Sequence, residues 1–409
     1  MPLVYDNTMK YIVVILDGAS GWPLEELEGL TTLESAATPM LDLMAKQGRI
    51  GRAQTVPEGL EPSSSAACTS ILGFDPQACF VGRAAIEAAA MGIGLAADEV
   101  ALRVNTLTIL DGVMRSYAGG HITTDESRAI IARLKTELDD DTFTLYPGVG
   151  YRHILVVKAH PELLETTYTS PHDISDKAVA DHLPSGPGAD LLADYTQRTR
   201  TLLATDPTNA SRIDQGLLPI TDLWPFWPGT APTGLPSFPQ TYQVSAALTS
   251  GVDLLFGLAH LFGIDTLDIK GVTDGADNDY VAQVTGALKA LDDHEVVIIH
   301  VESPDEMGHA GDMTGKTLAI EDIDQQIMTR LFAFGRQHPD VRVLALPDHP
   351  TPIAIKTHAR EEVPFLMWGS GVTPDEATAF GEKAASNSSW VVSGHDLMGL
   401  LLAEDGETR

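Results

Sequence analysis

Apolar residues run without interruption through residues 11–16 (YIVVIL) and stop at Asp17-Gly18. A short, continuous, β-branched run of this kind predicts a strand buried on both faces, because a half-exposed strand would alternate. Two later runs share the design. Val296–Val301 (VVIIHV) leads into Glu302 and Pro304-Asp305, and Val341–Leu346 (VRVLAL) leads into Pro347-Asp348-His349. Residues 317–336, between them, read as a long helix. After the first run, Thr38-Pro39 opens a pattern with Met40, Leu41, Leu43 and Met44 apolar and Asp42, Lys46 and Gln47 polar. That pattern predicts a helix ending near Gly48. Strands alternating with helices predict an α/β fold built on a parallel sheet. Because its strands lie near residue 15 and again near residues 300 and 346, the domain is discontinuous, comprising residues 1–77 and 243–409.

The middle of the chain, residues 78–242, has another texture and reads as an inserted α+β domain. Residues 100–105, 152–158 and 163–168 are predicted strands, and residues 124–138 a predicted helix. Proline and tryptophan crowd into residues 218–239 (LPITDLWPFWPGTAPTGLPSFP), a poor helix or strand by composition and the expected site of an ordered connection. Neither an internal repeat nor a low-complexity tract is present.

Composition narrows the classes. With 409 residues, 44% of them hydrophobic and 20% charged, the chain is long enough for two cores and has an ordinary globular balance. No stretch of about 18 apolar residues occurs, so no membrane span is expected. Residues 1–10 lack the charged-then-apolar plan of a leader. Two cysteines, Cys68 and Cys79, cannot build a disulfide scaffold, and a reducing cytoplasm is the simplest address. A net charge of −31 excludes wrapping nucleic acid, whose phosphates demand a basic surface. A small anion held by local arginines or metal ions is compatible with it.

The predicted strands end in chemistry. Asp17 closes the first. Asp305 and His309 form D-x-x-x-H after the second, Asp348-His349 closes the third, and His358 follows nine residues later. Ligand sites in open α/β sheets lie beyond the carboxyl ends of the strands. Each residue alone is more often structural or superficial. Together, three Asp and three His at strand ends make the ligand set of two divalent cations, with Mn²⁺ or Zn²⁺ favoured over Mg²⁺ by the mixed oxygen and nitrogen donors. Ser63-Ser64-Ser65 precedes an apolar run that starts a helix. Serine there is ordinarily an N-cap. It is also where helix amides receive phosphate, and a metal-bound serine becomes a nucleophile. One serine of the three suits that role while a neighbour caps.

These residues, with their surroundings, resemble the archaeal-type cofactor-independent (2,3-bisphosphoglycerate-independent) phosphoglycerate mutases of the alkaline phosphatase superfamily. The resemblance covers nearly the whole chain. It is carried by Ile15-Leu16-Asp17-Gly18, residues 32–39 (TLESAATP), 72–76 (LGFDP), Gly82-Arg83, 100–105 (VALRVN), 150–153 (GYRH) and Pro171-His172-Asp173. Downstream it continues through residues 300–305 (HVESPD), Gly308-His309, Gly315-Lys316, Asp348-His349 with Thr351-Pro352, and Thr357-His358. It implies an alkaline-phosphatase-like α/β domain, helices around a mainly parallel sheet, carrying the α+β insert. It implies two metal ions, Mn²⁺ foremost, with Asp17, Ser64, Asp348 and His349 holding one and Asp305, His309 and His358 the other. Ser64 would take the phosphoryl group of 3-phosphoglycerate and return it to the 2-hydroxyl through a phosphoserine. Arg83, Arg103, Arg152, His153 and His172 of the insert would hold the glycerate, since arginine grips carboxylate and phosphate with paired donors.

Four positions depart from the family pattern: Ser65 where an acid usually follows the nucleophile, Cys68 where a His is usual, His121 in place of an Arg, and Phe256 in place of a Lys. They keep alternatives open: a phosphomonoesterase or phosphotransferase for another small phosphorylated metabolite, or a phospho-ligand binder without turnover. No adenine-nucleotide motif supports a kinase.

Overall fold

The computed structural model describes residues 9–403. Of the leader reading, residues 1–8 lie outside that range. The chain divides into two compact units: Val81–Gly234 forms one, and the segments up to Phe80 and from Leu235 together form the other.

The larger unit is built on an eight-stranded sheet. In spatial order its strands are Val391–Ser393, Arg49–Gln54, Val363–Gly369, Val341–Leu346, Lys10–Leu16, Val296–Val301, Ala246–Thr249 and Asp265–Thr266. Lys10–Leu16 lies near the middle, parallel to both Val296–Val301 and Val341–Leu346. All three strands are buried along nearly their whole length, as their unbroken apolar runs require. On one face Ile12, Val14 and Leu16 join a core with Leu41, Met44, Val284, Ile320 and Leu331, supplied by helices Pro39–Gln47, Tyr280–Ala290 and the long segment Met313–Gln337. Strand alternation sends Val13 and Ile15 to the opposite face, where they are equally buried.

The predicted helix over residues 317–336 is present but begins earlier, at Met313, and contains a π-helical turn at Ile323–Met328. Asp324, in that turn, accepts hydrogen bonds from the amides of Met40 (3.1 Å) and Leu41 (2.7 Å). It thereby satisfies the free donors at the start of helix Pro39–Gln47. Among the described residues no helix is long and apolar enough to cross a membrane.

The smaller unit is antiparallel. The long strand Glu99–Leu110 pairs with Val113–Ser116, Arg152–Lys158 and Asp222–Thr230, and Phe143–Tyr146 extends the sheet beyond Arg152–Lys158. One face carries Val100, Leu102, Val104, Leu155 and Val157 against helices Thr124–Leu138 and Ala189–Leu203. The other carries Ala101, Ile154 and Val156 against helix Arg83–Ala90.

Two expectations fail here. Residues 163–168 form no strand; the segment begins in the 3-10 turn Pro161–Leu164, set up by Pro161 at its start. The proline-rich run does contain a strand, Asp222–Thr230, despite Pro225 and Pro228. Its one strand partner among the described residues is Glu99–Leu110, so it lies at an edge, where prolines that cannot donate to a ladder are tolerated.

Candidate active site

Parallel register brings the ends of the three central strands together. Leu16 stands beside Val301 and Ile15 beside Leu346, so Asp17, Glu302 and Asp348 all leave the sheet at one edge. The turn at Asp17 continues through Gly18 in the left-handed region (φ 60°), and a Cβ there would collide with Asp305 and Thr351.

Two groups of side chains result. In the first, Asp17, Asp348 and His349 are fully buried and offer ligand atoms within 4.8 Å of one another. His349 Nε2 lies 3.2 Å from Asp348 Oδ2 and 3.8 Å from Asp17 Oδ1. In the second, Asp305, His309 and His358 meet the same limit. His309 Nε2 is 3.1 Å from Asp305 Oδ2 and 2.9 Å from His358 Nε2.

The second group's tautomers follow from its neighbours. His309 Nδ1 is 3.0 Å from the carbonyl of Lys356, and His358 Nδ1 is 3.2 Å from that of Pro62. A carbonyl only accepts, so each Nδ1 carries a proton and each Nε2 faces inward. Two lone pairs and a carboxylate oxygen facing one another repel unless a positive charge lies among them. With only a proton available, the Asp305 hydrogen bond raises His309 to about 9. Asp305 would be raised by burial, but hydrogen bonds from His309 and His358 hold it well below the usual carboxylate range.

The first group has the complementary problem of too much buried negative charge. Burial, then the charges of Asp348 and Asp305, push Asp17 well above its ordinary value, and its Oδ1 has no hydrogen-bond partner. Burial and Asp17 do the same to Glu302. Burial lowers His349 and keeps it neutral. Both donor sets fit a metal cation, which would meet the lone pairs of one and neutralise the carboxylates of the other.

The serine triplet divides as its position demands. Ser63 is the N-cap of helix Ser64–Ile71, its Oγ accepting from the Ala66 amide. Ser64, the first helical residue, places Oγ 3.2 Å from His349 Nε2, beside the first group. Ser65 is buried and bonds Ser63, Oγ to Oγ, at 3.0 Å.

Several supporting residues had no role assigned from the sequence. His300, fully buried, has Nε2 2.7 Å from Asp17 Oδ2 and Nδ1 3.0 Å from Ser250 Oγ, so it fixes the orientation of Asp17. Thr351 donates to Asp305 and lies 3.3 Å from His349 Nδ1, linking the two groups. The Lys316 ammonium, also fully buried, bonds the carbonyls of Ser20 (2.9 Å) and Thr351 (2.8 Å). Burial lowers it to about 8. Cys68 is buried in the helix one turn past Ser64, its Sγ 3.7 Å from Asp348 Oδ2. Among the other departures, His121 is exposed with a left-handed φ of 54°, and Phe256 is half-buried on helix Asp253–Phe262.

In the Val81–Gly234 unit four of the five proposed substrate residues gather. Arg103 and Asn105 share one face of the long strand, and Arg152 stands opposite Asn105. Arg83 Nε (2.9 Å) and Arg103 Nη1 (2.8 Å) both donate to Glu87 Oε1. Glu87 would be raised by burial, but Arg103 and Arg83 lower it. His172 stacks near Trp227 and is held near 4 by burial and by Arg103, hence neutral. Buried Arg103 Nε and Asn105 Oδ1 are left without partners.

His153 is not among them. Strand alternation turns it to the opposite face from Arg152, where it is 1% exposed. Its Nε2 is 2.9 Å from Ser127 Oγ and its Nδ1 accepts from the Gly148 amide at 3.1 Å, so both ring nitrogens are committed. Burial holds it near 3.

Comparison with known proteins meets this geometry. The family model of the 2,3-bisphosphoglycerate-independent phosphoglycerate mutases matches residues 45–209. The enzyme of that name from Methanothrix thermoacetophila is 43% identical over 397 residues, covering 97% of this chain and all of that one. The probable enzyme of that name from Geobacter sulfurreducens is 40% identical over 401 residues, covering 96% and 100%. Among solved structures, a Pyrococcus horikoshii protein superposes with a TM-score of 0.80 at 26% identity, 96% of each chain being covered. With relatives this similar along their whole length, the chain belongs to the 2,3-bisphosphoglycerate-independent phosphoglycerate mutase family.

Proposed function

We propose that this protein interconverts 3-phosphoglycerate and 2-phosphoglycerate through a phosphoserine at Ser64. The observation that carries the reading is Ser64 Oγ, at a helix start and 3.2 Å from His349 of a buried Asp/His group, with a second such group joined to it through Thr351. We assign two divalent cations to those groups, one with Asp17, Ser64, Asp348 and His349 and one with Asp305, His309 and His358. The mixed carboxylate and imidazole donors favour Mn²⁺, with Zn²⁺ or Mg²⁺ as substitutes. When bound, such ions lower the pKa of the serine and neutralise phosphoryl oxygens.

The chain's own residues do the rest. Ser63 caps the helix, which leaves Ser64 Oγ free to attack. The Ser64 oxygen bonds phosphorus as the bond to the 3-oxygen breaks, and that oxygen takes up a proton equivalent to the one Ser64 loses. The 2-hydroxyl oxygen of the retained glycerate then attacks the phosphoserine, the phosphorus–Oγ bond breaks, and Ser64 Oγ regains a proton equivalent to the one the 2-hydroxyl loses. His300 keeps Asp17 oriented throughout. Retention of the glycerate falls to Arg83, Arg103, Arg152 and neutral His172 in the inserted domain, whose guanidinium groups pair with carboxylate. His153 orders the turn ahead of Arg152 through the Gly148 amide. The cytoplasm remains the compartment we assign, where this substrate would be met.

The test is a coupled assay of 3-phosphoglycerate conversion with Mn²⁺ and without 2,3-bisphosphoglycerate. Ser64→Ala is expected to lose about a thousandfold or more in rate, as removal of a covalent nucleophile does. A variant as active as the wild type would end the proposal.

A further inference from the structure

Trp227 sits at the extra residue of a β-bulge. The register between Asp222–Thr230 and Glu99–Leu110 places Pro228 opposite Leu102 and Phe226 opposite Arg103, so Trp227 has no strand partner. Its φ of 46° lies in the left-handed region, which a large side chain rarely adopts. Packing alone explains this poorly, because the ring is only half-buried while its neighbours Trp224 and Phe226 are buried at 2% and 0% exposure.

What the bulge achieves is aim. The indole lies 4.9 Å from the Arg83 guanidinium carbon and 5.3 Å from that of Arg103, with the His172 ring nearly parallel to it at 6.1 Å. Two guanidinium groups meet there over one carboxylate, Glu87, and Arg152 adds a further positive charge nearby. An excess of cations would drive the arginines apart, and an aromatic face offers them negative potential without taking up a hydrogen-bond donor. Arg103 Nε thus remains unpartnered although the residue is only 4% exposed.

We propose that Trp227 is a specificity-determining residue: it holds Arg83 and Arg103 side by side against their mutual repulsion and available to an anion, and its ring limits that anion to a small carboxylate- or phosphate-bearing molecule. The assignment rests on the mutase reading for the identity of the substrate, but not for the anion-binding role itself.

The experiment uses the full chain with Mn²⁺ and compares wild type, Trp227→Gly and Trp227→Phe. Glycine is at ease with positive φ, so Trp227→Gly is expected to keep the wild-type Tm and circular dichroism. Its KM for 3-phosphoglycerate should rise about tenfold with kcat changed less than threefold, the size of a lost cation–π pair. Trp227→Phe, retaining an aromatic face, should recover part of the loss. In parallel, thermal shift and calorimetry record binding of 3-phosphoglycerate, D-glycerate, inorganic phosphate and bulkier phosphosugars. Trp227→Gly should bind the small anions at least tenfold more weakly and discriminate less against the bulky ones. A folded Trp227→Gly with unchanged KM and anion affinities overturns the proposal. A wild type that binds these anions but does not convert 3-phosphoglycerate overturns the mutase reading while the binding comparison still decides Trp227. A wild type that binds none of them overturns both.

Discussion

At the residue scale, neighbours in sequence can have opposite fates. Arg152 and His153 are adjacent, yet one faces the arginine cluster and the other the core. Side-chain alternation along a strand decides this, and it holds for any two adjacent residues of a regular strand. His153 also makes a pH prediction. Burial holds it near 3 when folded, against its ordinary value of 6.5. Below pH 6.5 the unfolded chain therefore takes up a proton that the native state refuses. The stability His153 contributes is fully present above 6.5 and is lost as pH falls toward 3, at about 1.4 kcal/mol per pH unit. Replacing it with Gln should flatten that part of the acid limb, whatever its effect at neutral pH. Urea denaturation at successive pH values measures it, and parallel slopes for both proteins would refute the assignment.

At the scale of elements, the central strands and their helices were legible because burial on both faces writes a continuous apolar run. Val296–Val301 and Val341–Leu346 have the bounds their sequences announce. The strand in the proline-rich run was hidden, because its pairing depends on an edge position that composition does not reveal. The loops after the strands are joined by a residue that the resemblance includes but to which the sequence assigned no role. Lys316 ties the loop at Ser20 to the loop at Thr351, one leading from Asp17 and the other from His349. Lys316→Met should cost about 1–3 kcal/mol by leaving a buried carbonyl without its donor. Turnover should fall by about 100-fold, because a displacement of even 1 Å in catalytic groups is felt at that level. Thermal denaturation and the mutase assay together check it; a variant with wild-type Tm and rate would show that the two loops hold themselves.

At the scale of the whole molecule, the two units have separate cores, and only one carries the Asp/His groups. A ligand that binds only the folded state stabilises that state by about 2.7 kcal/mol at a hundred times its Kd. Mn²⁺ should therefore raise the melting of the larger unit, and EDTA should lower it, while the Val81–Gly234 unit responds little. Calorimetry of the full chain, with hydrogen exchange to identify the unit that each transition reports, measures this. Equal protection of both units by the metal would contradict the assignment.

Periodicity, strand-end chemistry and composition are local properties, so the sequence alone determined the α/β class, the three central strands, the acids and histidines that follow them, and the serine triplet. Within that triplet the resemblance pointed to Ser64, and the helix start and a neighbouring loop then put Ser63 at the cap and Ser64 beside His349. Tertiary structure decided what depends on distance across the chain. Parallel register brought residues 17, 302 and 348 to one edge, carbonyls of Lys356 and Pro62 set the tautomers of two histidines, and a bulge turned Trp227 onto the arginines. None of these has a periodic signature, since each is made by residues tens or hundreds of positions apart whose meeting is settled only when the sheets form.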